Sequence, residues 1–186
     1  GMAGGLILDA YRVCQDAIDG LISMNGFYDA VRVQVAQRGE HGWKAFRQFM
    51  LEERTRLALG GEKQGIDPFE IYPLDPVSRE YVFTELVKAP GYGVTSDLDF
   101  ADSLINFKPE ALLDERFADA PILIAHGAEN DLHPVTEAKS LYAKYPGPKS
   151  LFLLPEGGHT EWMLDDDPKF IQFSGVIANW LSENFS

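Results

Sequence analysis

Apolar positions change period several times along the chain, and the clearest change lies between residues 121 and 159. Residues 121–125 are Pro-Ile-Leu-Ile-Ala, an uninterrupted run that reads as a strand buried on both faces. The run ends in His126-Gly127 and a polar turn that carries Asp131. From 135 to 145 the period becomes helical, with Ala138, Leu141, Tyr142 and Tyr145 at i, i+3, i+4 and i+7. Gly147 and Pro148 stop that helix. A second apolar run at 150–154 leads into Pro155-Glu156-Gly157-Gly158-His159. The order is strand, acid-bearing loop, helix, strand, histidine-bearing loop. A right-handed crossover would bring both loops to the C-terminal edge of one parallel sheet.

The same reading extends to both ends. Leu6, Ile7, Ala10, Val13, Cys14 and Ala17 share one helical face, which makes Cys14 a core residue. Residues 20–27 then read as a buried strand with a glycine-bearing end. Between them and 121 the pattern is mostly helical. Residues 43–59 form one helix and 60–65 a loop. Residues 67–76 hold three prolines and are expected to be irregular. Pro76 opens a helix that runs to 88, residues 90–93 form a turn, and short helices follow at 98–107 and 109–117. Phe170, Phe173, Val176, Ile177, Trp180 and Leu181 form the apolar stripe of a closing helix at 168–185. Asp165, Asp166 and Asp167 precede it and suit a helix start better than a metal site.

Composition narrows the class. With 186 residues, 45% of them hydrophobic and 24% charged, the chain can bury one real core. A formal net charge of −13 argues against nucleic acid or an anionic membrane surface as partner. No apolar run approaches a membrane span, and no signal peptide is visible before the first helix, so a cytoplasmic location is expected. The single cysteine can form no internal disulfide, which fits a reducing compartment.

Asp131 and His159 are the candidate catalytic residues. A histidine base needs its second nitrogen held by a carboxylate, which fixes the tautomer and steadies the imidazolium. Glu129 and Asp119 are the other acids within reach of the argument. His126, at a strand end, reads as a structural hydrogen-bonder. His133 permits a metal site with His126 and Asp131, but no further ligand stands at a recognisable spacing, and neither metal nor cofactor is expected. His41 has no context. Ser23, Ser78, Ser96 and Ser103 lack the flanking glycines of a nucleophile turn.

HGAENDLHP, at 126–134, resembles the strand and turn that carry the catalytic acid of α/β hydrolases, and LLPEGGH, at 153–159, resembles the loop that carries their histidine. The chain order, acid before histidine, is also similar. Met2-Ala3-Gly4-Gly5 resembles the residues that follow the serine in the Ser-x-x-Gly-Gly turn of esterase- and peptidase-like members. The resemblance implies a partial α/β-hydrolase fold: a short parallel sheet flanked by helices, with a helical cap insertion. The core would comprise 1–28 and 119–186, and the cap 29–118. It places the nucleophile at position 1, where this chain has Gly1, and makes the backbone amide of Met2 one side of an oxyanion hole. Alternatively Met2 is a true start and Gly4-Gly5 a flexible end.

Two functions follow as expectations. One is a serine-type hydrolase of a small-molecule ester, thioester or amide, inactive in the present chain for want of a nucleophile. The other is a catalytically inactive domain of the same fold that binds a ligand or partner. Aromatic residues of the cap, Phe27, Tyr28, Trp43, Phe46, Phe49, Tyr72, Tyr81 and Phe83, could line an acyl pocket or serve as core. The strand at 21–27 would be an apolar sheet edge, which leads to the expectation of a homodimer.

Overall fold

The computed structural model describes residues 1–92 and 95–185; of the turn expected at 90–93, Gly93 lies outside them. Two compact units are present. The first comprises Gly1–Asp29 and Lys108–Ser186, and the second Ala30–Phe107.

The first unit is built on a three-stranded parallel sheet in the order β1-β2-β3, with β1 at Leu21–Met24, β2 at Ile122–Gly127 and β3 at Lys149–Leu154. Every residue of β2 is buried, as its unbroken apolar sequence requires of a central parallel strand. Its side chains alternate between two cores. Ile122 and Ile124 join Leu8, Tyr11, Phe117, Leu141 and Tyr145 on the face covered by α1, Met2–Val13, and α6, Thr136–Lys144. Leu123 and Ala125 join Trp162, Phe173 and Trp180 on the face covered by α7, Pro168–Phe185.

Three local features position the sheet edge. Gly4 of α1 sits so close to Gly26 that an added Cβ would lie 2.7 Å from its Cα, so the helix start meets the end of β1 backbone to backbone. Ser23, fully buried in β1, binds the Gly4 carbonyl at 2.8 Å and the Tyr28 hydroxyl at 2.5 Å. The buried carboxylate of Glu137 then accepts from the backbone N–H groups of Tyr28 and Asp29, at 2.8 and 3.2 Å. On the return, Glu110 accepts from Ser140 and Lys144 of the same helix, α6, and its own N–H donates to the Tyr28 carbonyl.

The second unit is helical: α2 at Ala30–Ala58, α3 at Pro68–Ile71, α4 at Pro76–Thr84 and α5 at Leu98–Ile105. Helix α2 is kinked at Gly39, which has φ +68° and ψ 167°. The proline-rich segment does contain regular structure, contrary to expectation. Pro68 occupies the first turn of α3, where the missing N–H costs nothing, and Asp67 caps it through the N–H of Phe69. Cys14 is likewise not core. Helix α1 ends at Val13, Cys14 leaves it at φ −126°, and its side chain is exposed. No described helix is long and apolar enough to cross a membrane.

Candidate functional site

The C-terminal ends of β1, β2 and β3 bring together Asn25, the turn 127–134 and the loop 155–161. Asn25 follows β1 with φ 46°, a left-handed conformation that asparagine tolerates. Its side chain ties the three loops. Oδ1 accepts from the N–H of Gly127 at 2.8 Å, and Nδ2 donates to the carbonyl of His159 at 2.6 Å. Gly127 fits there only because it lacks a side chain; a Cβ would run into the carbonyl oxygens of Gly157 and Gly158.

Asn130 makes a second double contact. Its Oδ1 accepts from the backbone N–H of His133 at 2.9 Å, an Asx-type turn, and its Nδ2 reaches Nδ1 of His159 at 3.1 Å. His133 is fully buried between Phe27 and His159, with ring centroids 5.0 and 4.7 Å away and the His159 ring edge-on. Its Nδ1 donates to the Asn25 carbonyl at 2.9 Å. Burial holds the His133 ring well below the usual imidazole range, and nearby positive charge, including that of His159, acts in the same direction. His126 also titrates low, again chiefly through burial, and its Nε2 donates to the His133 carbonyl at 2.8 Å.

The expected site residues fall as follows. Asp131 and His159 lie at the same sheet edge, but the Asp131 side chain is exposed, and the ring nitrogen Nδ1 of His159 meets the neighbouring Asn130 instead. Met2 begins α1, where a first-turn amide has no intrahelical acceptor. Position 1 lies beside the histidines: a Cβ on Gly1 would be 3.6 Å from Cε1 of His133. Ser23 is committed to the contact between α1 and β1, while Ser78, Ser96 and Ser103 belong to the second unit. Glu129 and Asp119 are exposed. Among the described residues no group of three His, Cys, Asp or Glu could hold a metal ion. Of the aromatics considered for an acyl pocket, Phe27 and Tyr28 belong to the first unit and are buried, as are Trp43 and Phe46 of the second, whereas Phe49, Tyr81 and Phe83 are exposed. Asn25 and Asn130 were not among the sequence candidates. The signal for Asn130 was an asparagine three residues ahead of a histidine in a tight turn, the spacing of an Asx cap.

No family model and no curated protein matches the sequence. Solved structures do match in fold. DcsB, determined in complex with its substrate analogue, is 18% identical with a TM-score of 0.68, over 98% of this chain and 61% of that one. The α/β hydrolase GrgF from Penicillium sp. sh18 is 13% identical with a TM-score of 0.68, over 97% and 60%. A malate-bound thermophilic esterase from Thermogutta terrifontis is 19% identical with a TM-score of 0.57, over 98% and 62%. The chain thus spans about three fifths of the length of these neighbours. A parallel sheet with helices on both faces, whose loops converge at its C-terminal edge, relates this chain in fold to the α/β hydrolases.

Proposed function

We propose that this chain contributes the histidine-bearing edge of a hydrolase acting on a small-molecule ester, thioester or amide. The observation that supports it best is His159 itself. It stands on the loop after β3, at the C-terminal edge of the sheet, with its Nδ1 held by the turn after β2. In this reading His159 is the proton-handling residue, the Asn130-Asp131 turn is its holder, and the amide of Met2 faces the oxyanion. Among the described serines of the sheet unit, Ser23 is committed to Gly4 and Tyr28 and Ser140 to Glu110, so the chain by itself is expected to bind acyl compounds without turning them over. Nuclear magnetic resonance titration with short-chain carboxylates, amides and thioethers tests the site: the His159 ring signals should shift saturably. A panel that leaves them unmoved sinks the proposal. Hydrolysis of a p-nitrophenyl ester that vanishes in His159→Ala would instead reveal a nucleophile and overturn the inactive half of the reading.

A second reading, a ligand-binding domain without catalysis, is favoured by the neutral amide at Nδ1 of His159. A carboxylate there would stabilise an imidazolium; an amide does not.

We further propose that the chain pairs with a second copy through β1. Leu21 and Asn25 donate to Pro121 and Ala125 of β2, so the alternate residues Ile22 and Met24 turn their peptide groups to the other side, where β1 has no strand neighbour among the described residues. Sedimentation at micromolar concentration should give a dimer; a clean monomer removes this proposal.

A further inference from the structure

Helix α2 carries a stripe of bases that its surroundings leave partly unneutralised. Lys44, Arg47, Leu51 and Arg54 stand at i, i+3, i+7 and i+10, so they share one face of the helix after its kink at Gly39. The chain has 29 acids against 16 lysines and arginines, so a base rarely lacks a carboxylate for want of supply. Elsewhere in the second unit Arg56, Lys63 and Lys88 each pair with one. Arg54 does so too, its Nε donating to Asp102 at 2.9 Å. Among the described residues, Lys44 and Arg47 have no carboxylate partner, and Glu40, one turn before Lys44, forms no pair with it. Arg47 lies instead beside the Trp43 ring, 5.9 Å from its centroid. Like charges on adjoining turns repel, so the two bases cost the helix some stability that no acid of the stripe returns.

The stripe borders a cleft of about 360 Å³ between α2 and the last residue of α5, a volume within the range of small-molecule pockets. Its polar lining is Lys44, Arg47, Gln48 and Arg54, and its apolar lining is Met50, Leu51 and Ile105. All belong to the second unit. Met50 is buried and makes a fixed floor, whereas Leu51 is 57% exposed, an apolar side chain left open to water in the midst of the bases. Asp102 offsets Arg54, which leaves two positive charges on Lys44 and Arg47. Helix geometry sets their Cβ atoms about 5–6 Å apart, close enough for one head group to meet both. A phosphate monoester, with a charge of about −1.5 to −2, answers that pair better than a single carboxylate.

We infer that this cleft binds an amphiphilic anion, a phosphate monoester with a short apolar body, its head group held between Lys44 and Arg47 and its body laid on Met50, Leu51 and Ile105. Charge alone does not suffice there. A formal net charge of −13 opposes any anion at long range, and salt confines the pull of the two bases to about 10 Å. Apolar contact has to supply the rest, which separates an alkyl phosphate from inorganic phosphate.

Amide and methyl spectra of the chain, titrated at low salt with hexyl phosphate, test the inference. The amides of residues 44–54 and the Ile105 methyl group should shift saturably. Inorganic phosphate and hexanol, each lacking one half of the ligand, should bind at least about tenfold more weakly, and hexanoate should fall between them and hexyl phosphate. Lys44→Gln and Arg47→Gln stand on the exposed face, should leave the melting temperature unchanged, and should each weaken hexyl phosphate by about tenfold. Unmoved signals at these residues overturn the inference. So does hexanol binding as tightly as hexyl phosphate, which would make the cleft merely greasy, or inorganic phosphate doing so, which would make it a counterion site. Hexanoate binding more tightly overturns the choice of head group, and folded Lys44→Gln and Arg47→Gln variants of unchanged affinity remove the two bases from the site.

Discussion

The sheet unit and the helical insertion solve different problems with the same chain. In the sheet unit the polar groups that matter are buried and doubly used: Ser23, Asn25, Asn130 and Glu137 each serve two partners. In the insertion many polar contacts are exposed ion pairs, such as Arg54 with Asp102 and Lys63 with Asp99. Large apolar side chains there, among them Leu51, Leu59, Val77 and Tyr81, stay more than half exposed. Exposed pairs of this sort contribute little, because solvent and salt screen them. A buried group that loses its partner is costly. Geometric tolerance should therefore differ sharply between the two units.

A pair of glycine substitutions gives the largest contrast. Gly127→Ala drives a methyl group into the backbone of the histidine loop and should cost about 4 kcal/mol or prevent folding of the sheet unit. Gly39→Ala in α2 meets nothing within 4 Å, but its φ of +68° with ψ 167° is a conformation kept almost entirely to glycine, so it should cost about 2 kcal/mol through the backbone alone. Denaturant unfolding of both variants measures the difference; equal losses would erase the contrast.

A smaller effect sharpens it further. His126 and His133 are held neutral by burial, so the unfolded chain binds more protons than the folded one below the ordinary imidazole range. Stability is then full above a pH of about 6.5 and falls as pH drops, by at most ~1.4 kcal/mol per pH unit for each ring. His133→Gln keeps a donor for the Asn25 carbonyl but removes one titration. Melting curves between neutral and mildly acidic pH should show a shallower slope in that variant, and an unchanged slope would place the proton uptake elsewhere.

Much of the sheet unit could be read in advance because burial on both faces leaves an unmistakable mark. The run at 121–125, the helical period after it and the run at 150–154 correspond to β2, α6 and β3 within one to two residues. Helix α1, by contrast, ends at Val13, short of the apolar stripe that the sequence continues through Cys14 and Ala17. The chain turns out of the helix there and the stripe ends at the surface. Loop side chains are harder still. Asn130 and Asp131 are neighbours in one turn, and no periodicity says which of two adjacent residues faces inward. The sequence argument favoured the carboxylate for its charge, while the fold turned inward the residue whose amide could satisfy His133 and His159 together. In the insertion Pro68 stands in the first turn of α3, where proline favours the helix rather than breaking it.

The crossing between the two units has a consequence for how such a chain can change over time. The outgoing segment at Tyr28-Asp29 and the returning one at Glu110 are fastened to a single helix, α6, by Glu137 and by the contacts of Glu110 with Ser140 and Lys144. They are also bonded to each other, Glu110 to Tyr28, and just beyond, Ala30 to Phe107. The ends of the intervening segment are thereby clamped like the stem of a hairpin. Whatever lies between them adds only a slowly growing loop-closure entropy. Helices could be lengthened, trimmed or exchanged at this junction while the strands behind it keep their register. The insertion is a replaceable module, joined to the sheet unit through one closed pair of chain ends.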